Sequence, residues 1–254
     1  MLSTLSNTAS RDVHFTLQNR RLSNTGSWFL ENFSYRKWRN GKPSTLWCPG
    51  LAGAGKTFLA SNIIDDLHTS LDTSNTAIVY VYARHDQQHE QQVSSILASF
   101  CRQLVEAHND QHQRTRMITL IQQRLRCRNS RSAANLEDLV LQLANYHSRL
   151  FIIVDALDEV SSKSNDILNV ARALVRLQAR ADNLHLCITS RENRVAQNVI
   201  CPDYKIQVEP SPNDIEVYVC VRMEQSHLLC NWSRRDPEIA SRIVETIRLK
   251  SNSV

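Results

Sequence analysis

Five glycines occur in this sequence of 254 residues, and three of them, Gly50, Gly53 and Gly55, lie within six consecutive positions. Glycine serves where the backbone must adopt a positive φ or approach a ligand closely. The segment reads GLAGAGKT, which matches the pattern G-x-x-x-x-G-K-[ST] in full and lies between a predicted strand and a predicted helix. Such a loop places successive backbone N–H groups around an anion, and the helix N-terminus adds a favourable dipole. The segment therefore predicts a phosphate-binding loop.

Two side chains of this loop have specific expected roles. Lys56 is expected to reach the β- and γ-phosphates of a nucleotide, and the Thr57 hydroxyl to ligate Mg²⁺. The alternative is a glycine turn without a ligand, which the complete match and its position between strand and helix disfavour. The residues expected to bind nucleotide are Gly50, Leu51, Ala52, Gly53, Ala54, Gly55, Lys56 and Thr57.

A group of carboxylates follows the apolar run LFIIV at positions 150–154. Asp155 ends this run and is the expected partner of Mg²⁺. Asp158 and Glu159 come a few residues later, within reach of a water that attacks a γ-phosphate, and we favour Glu159 as the group that orients or deprotonates it. An acidic turn that only ends a strand is the alternative, and the presence of the glycine loop argues against it.

An arginine follows the next predicted strand, at positions 184–189. Arg191 lies at the tip of that strand, where its charge can sense a γ-phosphate. The alternative is a surface arginine that pairs with the neighbouring Glu192. We expect Arg191 to face the phosphates.

Predicted strands and helices alternate along the chain. Alternation predicts an α/β fold with a mostly parallel sheet and right-handed crossovers, in which ligands bind beyond the carboxyl ends of the strands. The long interval between Lys56 and Asp155 leaves room for an extra strand, at 77–83, between the two nucleotide-binding strands, which favours ATPases with an inserted strand over small P-loop kinases. The expected strands are 45–48, 77–83, 150–154, 184–189 and 204–208, and the expected helices include 28–38, 56–68, 167–177 and two between 214 and 250.

Composition limits the class of protein. The apolar fraction of 42% and the charged fraction of 22% are ordinary for a globular chain, and the longest apolar run, 77–83, is too short to span a membrane. The N-terminus lacks the pattern of a secretory signal, and seven scattered cysteines fit reduced thiols in the cytoplasm. We expect a flexible leader or loosely packed helix over 1–24, an NTPase core over 25–210 and a helical lid over 211–254.

Three segments carry a family resemblance: STLWCPGLAGAGKTFLASNIIDDL, FIIVDALDEV and LCITSRE. Together they resemble the NACHT class of signal-transduction ATPases, and more closely the nephrocystin-3-like N-terminal domain of fungal NOD-like receptor proteins. The resemblance covers roughly residues 28–250. It implies a P-loop NTPase three-layer sandwich with a mostly parallel five-stranded sheet in the order 5-1-4-3-2 and a C-terminal helical lid.

The same resemblance implies roles for the site residues. Residues 50–57 would be the Walker A loop, Asp155, Asp158 and Glu159 an extended acidic Walker B motif, and Arg191 a sensor of the nucleotide. The implied function is a cytoplasmic switch that binds ATP, with GTP as the alternative, and hydrolyses it slowly with Mg²⁺. Such switches are closed with ADP and open for self-association with ATP.

Two other functions remain open at this point. One is a nucleotide-binding scaffold that signals without turnover. The other is a nucleic-acid-dependent ATPase that uses the stretch 113–131, which holds six arginines and no acid, although such a run is more often a solvated helix face. We expect neither a nucleic-acid partner nor a membrane partner. Weaker metal-binding candidates are the pair His85 and His89 and the set Cys201, Cys220, His227 and Cys230, for which surface residues and buried free thiols are the favoured interpretations.

Overall fold

Five strands form one sheet in the computed structural model, which describes residues 9–23, 25–86, 92–125, 132–161, 163–192, 194–209, 211–226 and 238–251. Their spatial order is β2-β3-β4-β1-β5, and every hydrogen-bonded pair is parallel. This confirms the expected α/β class, the parallel sheet and the order 5-1-4-3-2. The strands are β1 (Thr45–Pro49), β2 (Thr76–Tyr82), β3 (Arg149–Asp155), β4 (Leu184–Ser190) and β5 (Tyr204–Lys205).

The strand at 77–83 does not lie between the two strands that carry the candidate site. It corresponds to β2, which pairs with the outer edge of β3, whereas β4 pairs with β3 on one side and with β1 on the other. The inserted strand of the sheet is therefore β4. This is the arrangement that the expected order 5-1-4-3-2 implies, and β2, the extra strand expected between Lys56 and Asp155 along the chain, lies at the edge of the sheet.

The sheet is covered on both faces, as its side-chain alternation shows. On β3, Leu150, Ile152 and Val154 belong to one apolar core, and Phe151 and Ile153 belong to the other. Strands buried on both faces read as continuous apolar runs, which is the pattern that predicted β3. The three-layer sandwich expected from the sequence is thus the observed architecture.

Eleven helices are described around this sheet. Four of them cover its two faces: α4 (Lys56–Ser70) contributes Ile63, Ile64 and Leu67 to the core that contains Phe151, and α5 (Val93–Ala107), α7 (Ala133–Ala144) and α8 (Ser164–Arg180) contribute to the core that contains Ile152. The helices are α1 (Ala9–Arg20), α2 (Ser27–Leu30), α3 (Phe33–Asn40), α4 (Lys56–Ser70), α5 (Val93–Ala107), α6 (Gln111–Leu125), α7 (Ala133–Ala144), α8 (Ser164–Arg180), α9 (Arg194–Ile200), α10 (Pro212–Gln225) and α11 (Glu238–Ser251). No described helix is both long enough and apolar enough to cross a bilayer.

The single helix expected over 28–38 is divided in two. The side chain of Asn32 accepts a hydrogen bond from the backbone N–H of Ser34 (2.8 Å), so Asn32 is the N-cap of α3 and separates it from α2. Asparagine is a favoured N-cap because its side chain satisfies a backbone donor of the first turn. The break turns Phe33 out of the expected apolar stripe, and that side chain is 71% exposed.

For the N-terminal segment we expected either a flexible leader or a loosely packed helix, and the structure has a helix there, α1. In α1, His14 is buried; its Nδ1 lies 2.8 Å from the Tyr82 hydroxyl and its Nε2 lies 3.1 Å from Asp65 Oδ1. Arg21, just after α1, also pairs with Asp65 at 2.7 Å. These contacts attach α1 to α4 and to the end of β2. The division of the chain into leader, core and lid stays a prediction.

Candidate functional site

The glycine loop connects β1 to α4, as its sequence predicts. Gly53 and Gly55 adopt positive φ values of +78° and +87°, and a Cβ added to either would meet no atom within 4 Å. These two glycines are therefore required for their backbone conformation, and they face open space. Within the loop, the amide of Ala54 donates to the carbonyl of Leu51 (3.2 Å).

The first glycine of the loop has a different constraint. A Cβ on Gly50 would lie 2.5 Å from the carbonyl oxygen of Val208, because Gly50 pairs with Val208 in a parallel bridge beyond β5. The amide of Gly50 donates to the Ser190 carbonyl at the tip of β4 (3.1 Å). The start of the loop is therefore fixed by close backbone packing between neighbouring strand ends.

Lys56 begins α4 and folds back over the loop. Its ammonium group donates to the carbonyls of Gly50 (2.8 Å) and Leu51 (2.7 Å). Burial lowers the pKa of Lys56, and the carboxylates of Asp158, Asp155 and Glu159 oppose that shift, whereas Arg191 adds to it. Electrostatic effects of this kind require proximity, so the Lys56 ammonium lies near the carboxylates that follow β3.

Asp155 ends β3 in a buried position beside the loop. Its Oδ1 accepts a hydrogen bond of 2.6 Å from the Thr189 hydroxyl, and the Thr57 hydroxyl approaches the same carboxylate. Burial raises the pKa of Asp155 to about 6, and the hydroxyls of Thr189 and Thr57 limit the rise because they stabilise the charged form. The predicted Mg²⁺ pair, Thr57 and Asp155, is therefore together in the structure.

The residues after Asp155 form a tight turn. Ala156 has a φ of +55°, which is uncommon for a residue with a side chain, and its amide donates to the Thr189 hydroxyl (2.9 Å). A 3₁₀ turn, Leu157–Glu159, follows, and the amide of Glu159 donates to the Ala156 carbonyl (2.7 Å). This turn brings Asp158 and Glu159 back toward the loop.

Arg191 contacts the acidic turn. Its backbone amide donates to Asp158 Oδ1 (2.9 Å) and its Nε lies 3.2 Å from Asp158 Oδ2. The alternative pairing with Glu192 is not observed, because Glu192 instead pairs with Lys205 (2.9 Å). Arg191 thus lies beside the site, with its side chain 61% exposed.

Thr189 is a site residue that the sequence analysis missed. Its one hydroxyl donates to Asp155 and accepts from Ala156, so it links the end of β4 to the acidic turn. The signal was present in the segment that also carries Arg191, since two hydroxyl residues end β4. The contact between Thr189 and Asp155 follows from the position of β4 next to β3 in the sheet.

The donors at this site suit magnesium. Mg²⁺ prefers oxygen ligands and is usually held by one or two carboxylates together with substrate phosphates. Asp155 and Thr57 supply oxygens, and among the described residues the buried Asp155 carboxylate forms no ion pair. In the part of the chain that is described, no group of three His, Cys, Asp or Glu residues is placed to hold a metal by itself.

Several weaker candidates lie partly outside the described residues. His89, His227 and Cys230 are among them, so both metal-binding sets stay predictions. The described arginines of the basic stretch lie in or beside α6, whereas 126–131 fall outside the description. Cys201 and Cys220 are free thiols but are exposed, so the expectation of buried thiols is wrong for these two.

The parallel sheet, the loop between β1 and α4 and the acidic end of β3 define the P-loop NTPase fold. Residues 24–191 match the family described as Nephrocystin 3, N-terminal, and the chain belongs to that family. No curated protein matches the chain.

Two solved structures illustrate the likeness of the fold. The ORC1 protein of Aeropyrum pernix in complex with DNA has a TM-score of 0.50 at 12% identity over 76% of this chain and 47% of that one. The Drosophila ORC bound to DNA has a TM-score of 0.50 at 12% identity over 95% of this chain and 57% of that one. This chain therefore spans about half the length of each.

Proposed function

We propose that this chain is a Mg²⁺-dependent ATP-binding switch that hydrolyses ATP slowly, the NTPase module of a NOD-like receptor type of protein. The observation that carries the proposal is the proximity of Thr57 and Lys56 to the carboxylates that follow β3. A phosphate cradle, a buried carboxylate and a second acidic group on one sheet edge provide the parts that phosphoryl transfer needs.

Phosphate binding is assigned to the loop. The open space at Gly53 and Gly55 leaves room for a β-phosphate against the main chain, and the N-terminus of α4 favours its negative charge. Lys56 now binds two loop carbonyls, so its ammonium must leave the carbonyls of Gly50 and Leu51 to contact a phosphate. The loop lysine is thereby satisfied before the nucleotide arrives.

Metal binding is assigned to Thr57 and Asp155. Bound Mg²⁺ neutralises charge that develops on the phosphates. Asp155 is buried and held in place by the Thr189 hydroxyl, so its carboxylate orientation is set before the ligand arrives. Thr189 is a positioning residue in this account.

The two remaining carboxylates differ in their partners. Asp158 is engaged by the amide and the guanidinium of Arg191. Among the described residues, the Glu159 side chain forms no ion pair, which supports Glu159 as the group that orients or deprotonates the attacking water. Arg191 is assigned to sense the γ-phosphate, which requires it to exchange Asp158 for phosphate oxygens.

Steady-state phosphate release tests the proposal. Wild-type protein with Mg²⁺ and ATP should release phosphate, and Lys56→Ala and Glu159→Gln should reduce the rate at least tenfold. Lys42→Ala removes an exposed lysine that precedes β1, whereas the loop follows the other end of that strand, and it should leave the rate unchanged. Equal rates in wild type and Lys56→Ala would favour a scaffold that binds nucleotide without turnover. GTP in place of ATP, in the same assay, decides the base preference.

A nucleic-acid-dependent ATPase is the second candidate, and α6 is the observation that favours it. This helix carries Arg114, Arg116 and Arg124 without an acidic residue, and in the described structure none of the three forms an ion pair. Arginines of this kind bind phosphate backbones with strong salt dependence. DNA or RNA that neither binds with a steep salt slope nor stimulates hydrolysis would remove this candidate.

A further inference from the structure

An exposed serine follows α1 and is preceded by two arginines. Ser23 lies three residues after Arg20, the last residue of the helix, and the positions between them are Arg21 and Leu22. Ser23 belongs to a turn in which the Thr25 hydroxyl donates to the Leu22 carbonyl (2.8 Å). Exposed turns at the ends of elements are the parts of a protein surface that enzymes reach most readily.

The two arginines give this serine a charge pattern that enzymes can recognise. Basophilic serine kinases hold arginines three and two residues before the acceptor serine with carboxylates of their own, and such charge patterns contribute to kinase specificity. Arg20 and Arg21 occupy these positions relative to Ser23. Adjacent arginines occur elsewhere in the sequence only at 234–235, where the corresponding acceptor position is Pro237. The pattern therefore singles out Ser23.

Arg21 has a second role, because it attaches α1 to α4. Its Nη1 lies 2.7 Å from Asp65 Oδ2. The same carboxylate accepts a hydrogen bond from Gln18 and lies 3.1 Å from His14 Nε2. Burial would raise the pKa of Asp65, but the hydrogen bonds from these three partners lower it to about 2, so the carboxylate is charged at neutral pH. One carboxylate of α4 thus holds the second half of α1.

The apolar contacts of α1 with the rest of the protein are limited. Val13 and Leu17 are only partly buried against one of the two cores on the sheet. The first turn is held separately, by an ion pair between Arg11 and Glu106 of α5 (2.8 Å). An element with few buried apolar contacts opens locally at low free energy. The position of the second half of α1 therefore depends strongly on Asp65.

A phosphate on Ser23 would weaken this attachment in two ways. It adds a charge of about −2 just beyond the C-terminal end of α1, where the helix dipole disfavours negative charge. It also brings strong acceptor oxygens two residues from Arg21, and a guanidinium that pairs with phosphate is lost to Asp65. Both effects favour separation of the second half of α1 from α4.

We propose that Ser23 is a phosphorylation site for a basophilic serine kinase and that its phosphate releases the second half of α1 from α4. The γ-phosphoryl group of ATP moves to Ser23 Oγ, its bond to the β–γ bridging oxygen breaks, ADP leaves, and the hydroxyl proton passes to a carboxylate of the kinase. The kinase and Asp65 compete for Arg21, so release of α1 also exposes the recognition pattern. Neither step uses the nucleotide site of this chain, because the kinase supplies its own.

Treatment of the full chain with the catalytic subunit of the cyclic-AMP-dependent protein kinase tests the acceptor. Mass spectrometry with peptide mapping should place a phosphoryl group on Ser23, and none should appear there when the kinase is omitted. Ser23→Ala should lose this modification. Arg20→Gln should be modified at Ser23 about tenfold more slowly, because a charge-assisted hydrogen bond to the kinase is lost.

Ser74→Ala is the matched control for the acceptor. Ser74 is an exposed serine in a turn after α4, but Leu71 and Asp72 stand where Ser23 has its arginines. This variant should be phosphorylated at Ser23 at the wild-type rate. Equal modification of wild type and Arg20→Gln would contradict recognition through the arginines.

Hydrogen exchange of α1, followed by mass spectrometry, tests the effect of the phosphate. Protein phosphorylated at Ser23 should exchange the amides of residues 14–20 about tenfold faster than unmodified protein, and kinase-treated Ser23→Ala should show no change. Asp65→Asn should exchange these amides rapidly without phosphate, and phosphorylation should add little further, because both changes remove the same contact. Asp65→Asn should also be phosphorylated faster than wild type, since it releases Arg21.

The outcomes are decisive for both steps. Ser23 that stays unmodified in both wild type and Asp65→Asn overturns the proposal. Phosphorylated Ser23 with unchanged or slower exchange in α1 overturns the release of the helix. Thermal unfolding verifies that Asp65→Asn is folded, and Gln18→Ala, which removes one donor to the same carboxylate, replaces it if it is not.

Discussion

At the scale of single residues, the site depends on one hydroxyl group at the end of β4. Thr189 donates to Asp155 and accepts from the amide of Ala156. Both partners are buried, so loss of the hydroxyl leaves the Ala156 amide without this acceptor and Asp155 with the Thr57 hydroxyl alone. A buried donor without a partner costs roughly 1–3 kcal/mol.

The substitution Thr189→Val tests this role while nearly preserving side-chain volume. We expect the free energy of unfolding to fall by about 1–3 kcal/mol. We also expect slower phosphate release at neutral pH, because the pKa of Asp155 rises further when the hydroxyl no longer stabilises its charged form. Denaturant unfolding and phosphate release measure the two effects. Thr189→Ser restores the hydroxyl and should recover both, and a Ser variant as impaired as Val would show that the methyl group matters instead.

The glycines of the loop should differ in their response to alanine. At Gly50 a Cβ would meet the Val208 carbonyl oxygen at 2.5 Å, whereas at Gly53 it would meet nothing within 4 Å but would retain a positive φ. Overpacking against a backbone costs about 1–3 kcal/mol, and a strained φ costs about 1 kcal/mol. Gly50→Ala should therefore lower the denaturant midpoint more than Gly53→Ala. The reverse order would contradict the close approach of the loop and residue 208.

At the scale of elements, much of the fold was predictable because the residue pattern of several segments and the elements predicted on either side of them indicate the same structure. The apolar run of β3 predicted a strand covered on both faces, and the loop pattern predicted the transition from β1 to α4. The family resemblance supplied the strand order. What failed had local causes: Asn32 caps α3 and divides a stretch whose apolar spacing alone reads as one helix.

Other features depend on contacts between segments that are distant in the chain. The burial of α1 rests on His14, Asp65 and Tyr82, and no spacing in the first 24 residues reveals those partners. The pairing of Arg191 with Asp158, and not with Glu192, likewise follows from the adjacency of β3 and β4. Contacts such as these depend on the three-dimensional arrangement of the strands and helices, so the sequence of either segment alone does not predict them.

Two buried histidines at the sheet should make the protein sensitive to acid. Burial lowers the pKa of His147 and of His185 to about 4 from 6.5. The ring of His185 stacks on Phe151 and its Nδ1 donates to the Trp38 carbonyl (2.9 Å), so the neutral form fits the site. The unfolded chain takes up these protons at a higher pH than the folded chain does.

The stability that depends on keeping these two histidines neutral is fully present above pH 6.5. It is lost as the pH falls toward 4, because the unfolded chain is protonated first. Each histidine reduces the free energy of unfolding by up to about 1.4 kcal/mol per pH unit in that range. Asp155 acts in the opposite sense, because its raised pKa makes folding less favourable as the pH rises from 3.8 toward 6.

A comparison of variants isolates the histidine effect. His147→Gln retains a donor for the Leu104 carbonyl and should flatten the pH dependence between 6.5 and 5 in denaturant unfolding. The exposed His112→Gln should leave the wild-type slope, and an unaltered slope in His147→Gln would exclude this source of acid sensitivity.

At the scale of the whole molecule, the sheet determines where chemistry is concentrated. All five strands are parallel, so their carboxyl ends meet at one edge. Ligands of open α/β sheets bind at that edge, and the loop after β1, the acidic turn after β3 and Arg191 after β4 all lie there.

The central claim is that residues 50–57 and the carboxylates after β3 form one magnesium–nucleotide site. The most direct measurement is the affinity for fluorescent ATP, with and without Mg²⁺, of wild type, Thr57→Ala, Asp155→Asn and the double variant. We predict that Mg²⁺ tightens binding in the wild type, that each single substitution removes most of this gain, and that the double variant loses no more than the single ones. Fully additive losses, or an undiminished magnesium effect in Asp155→Asn, would contradict a shared site.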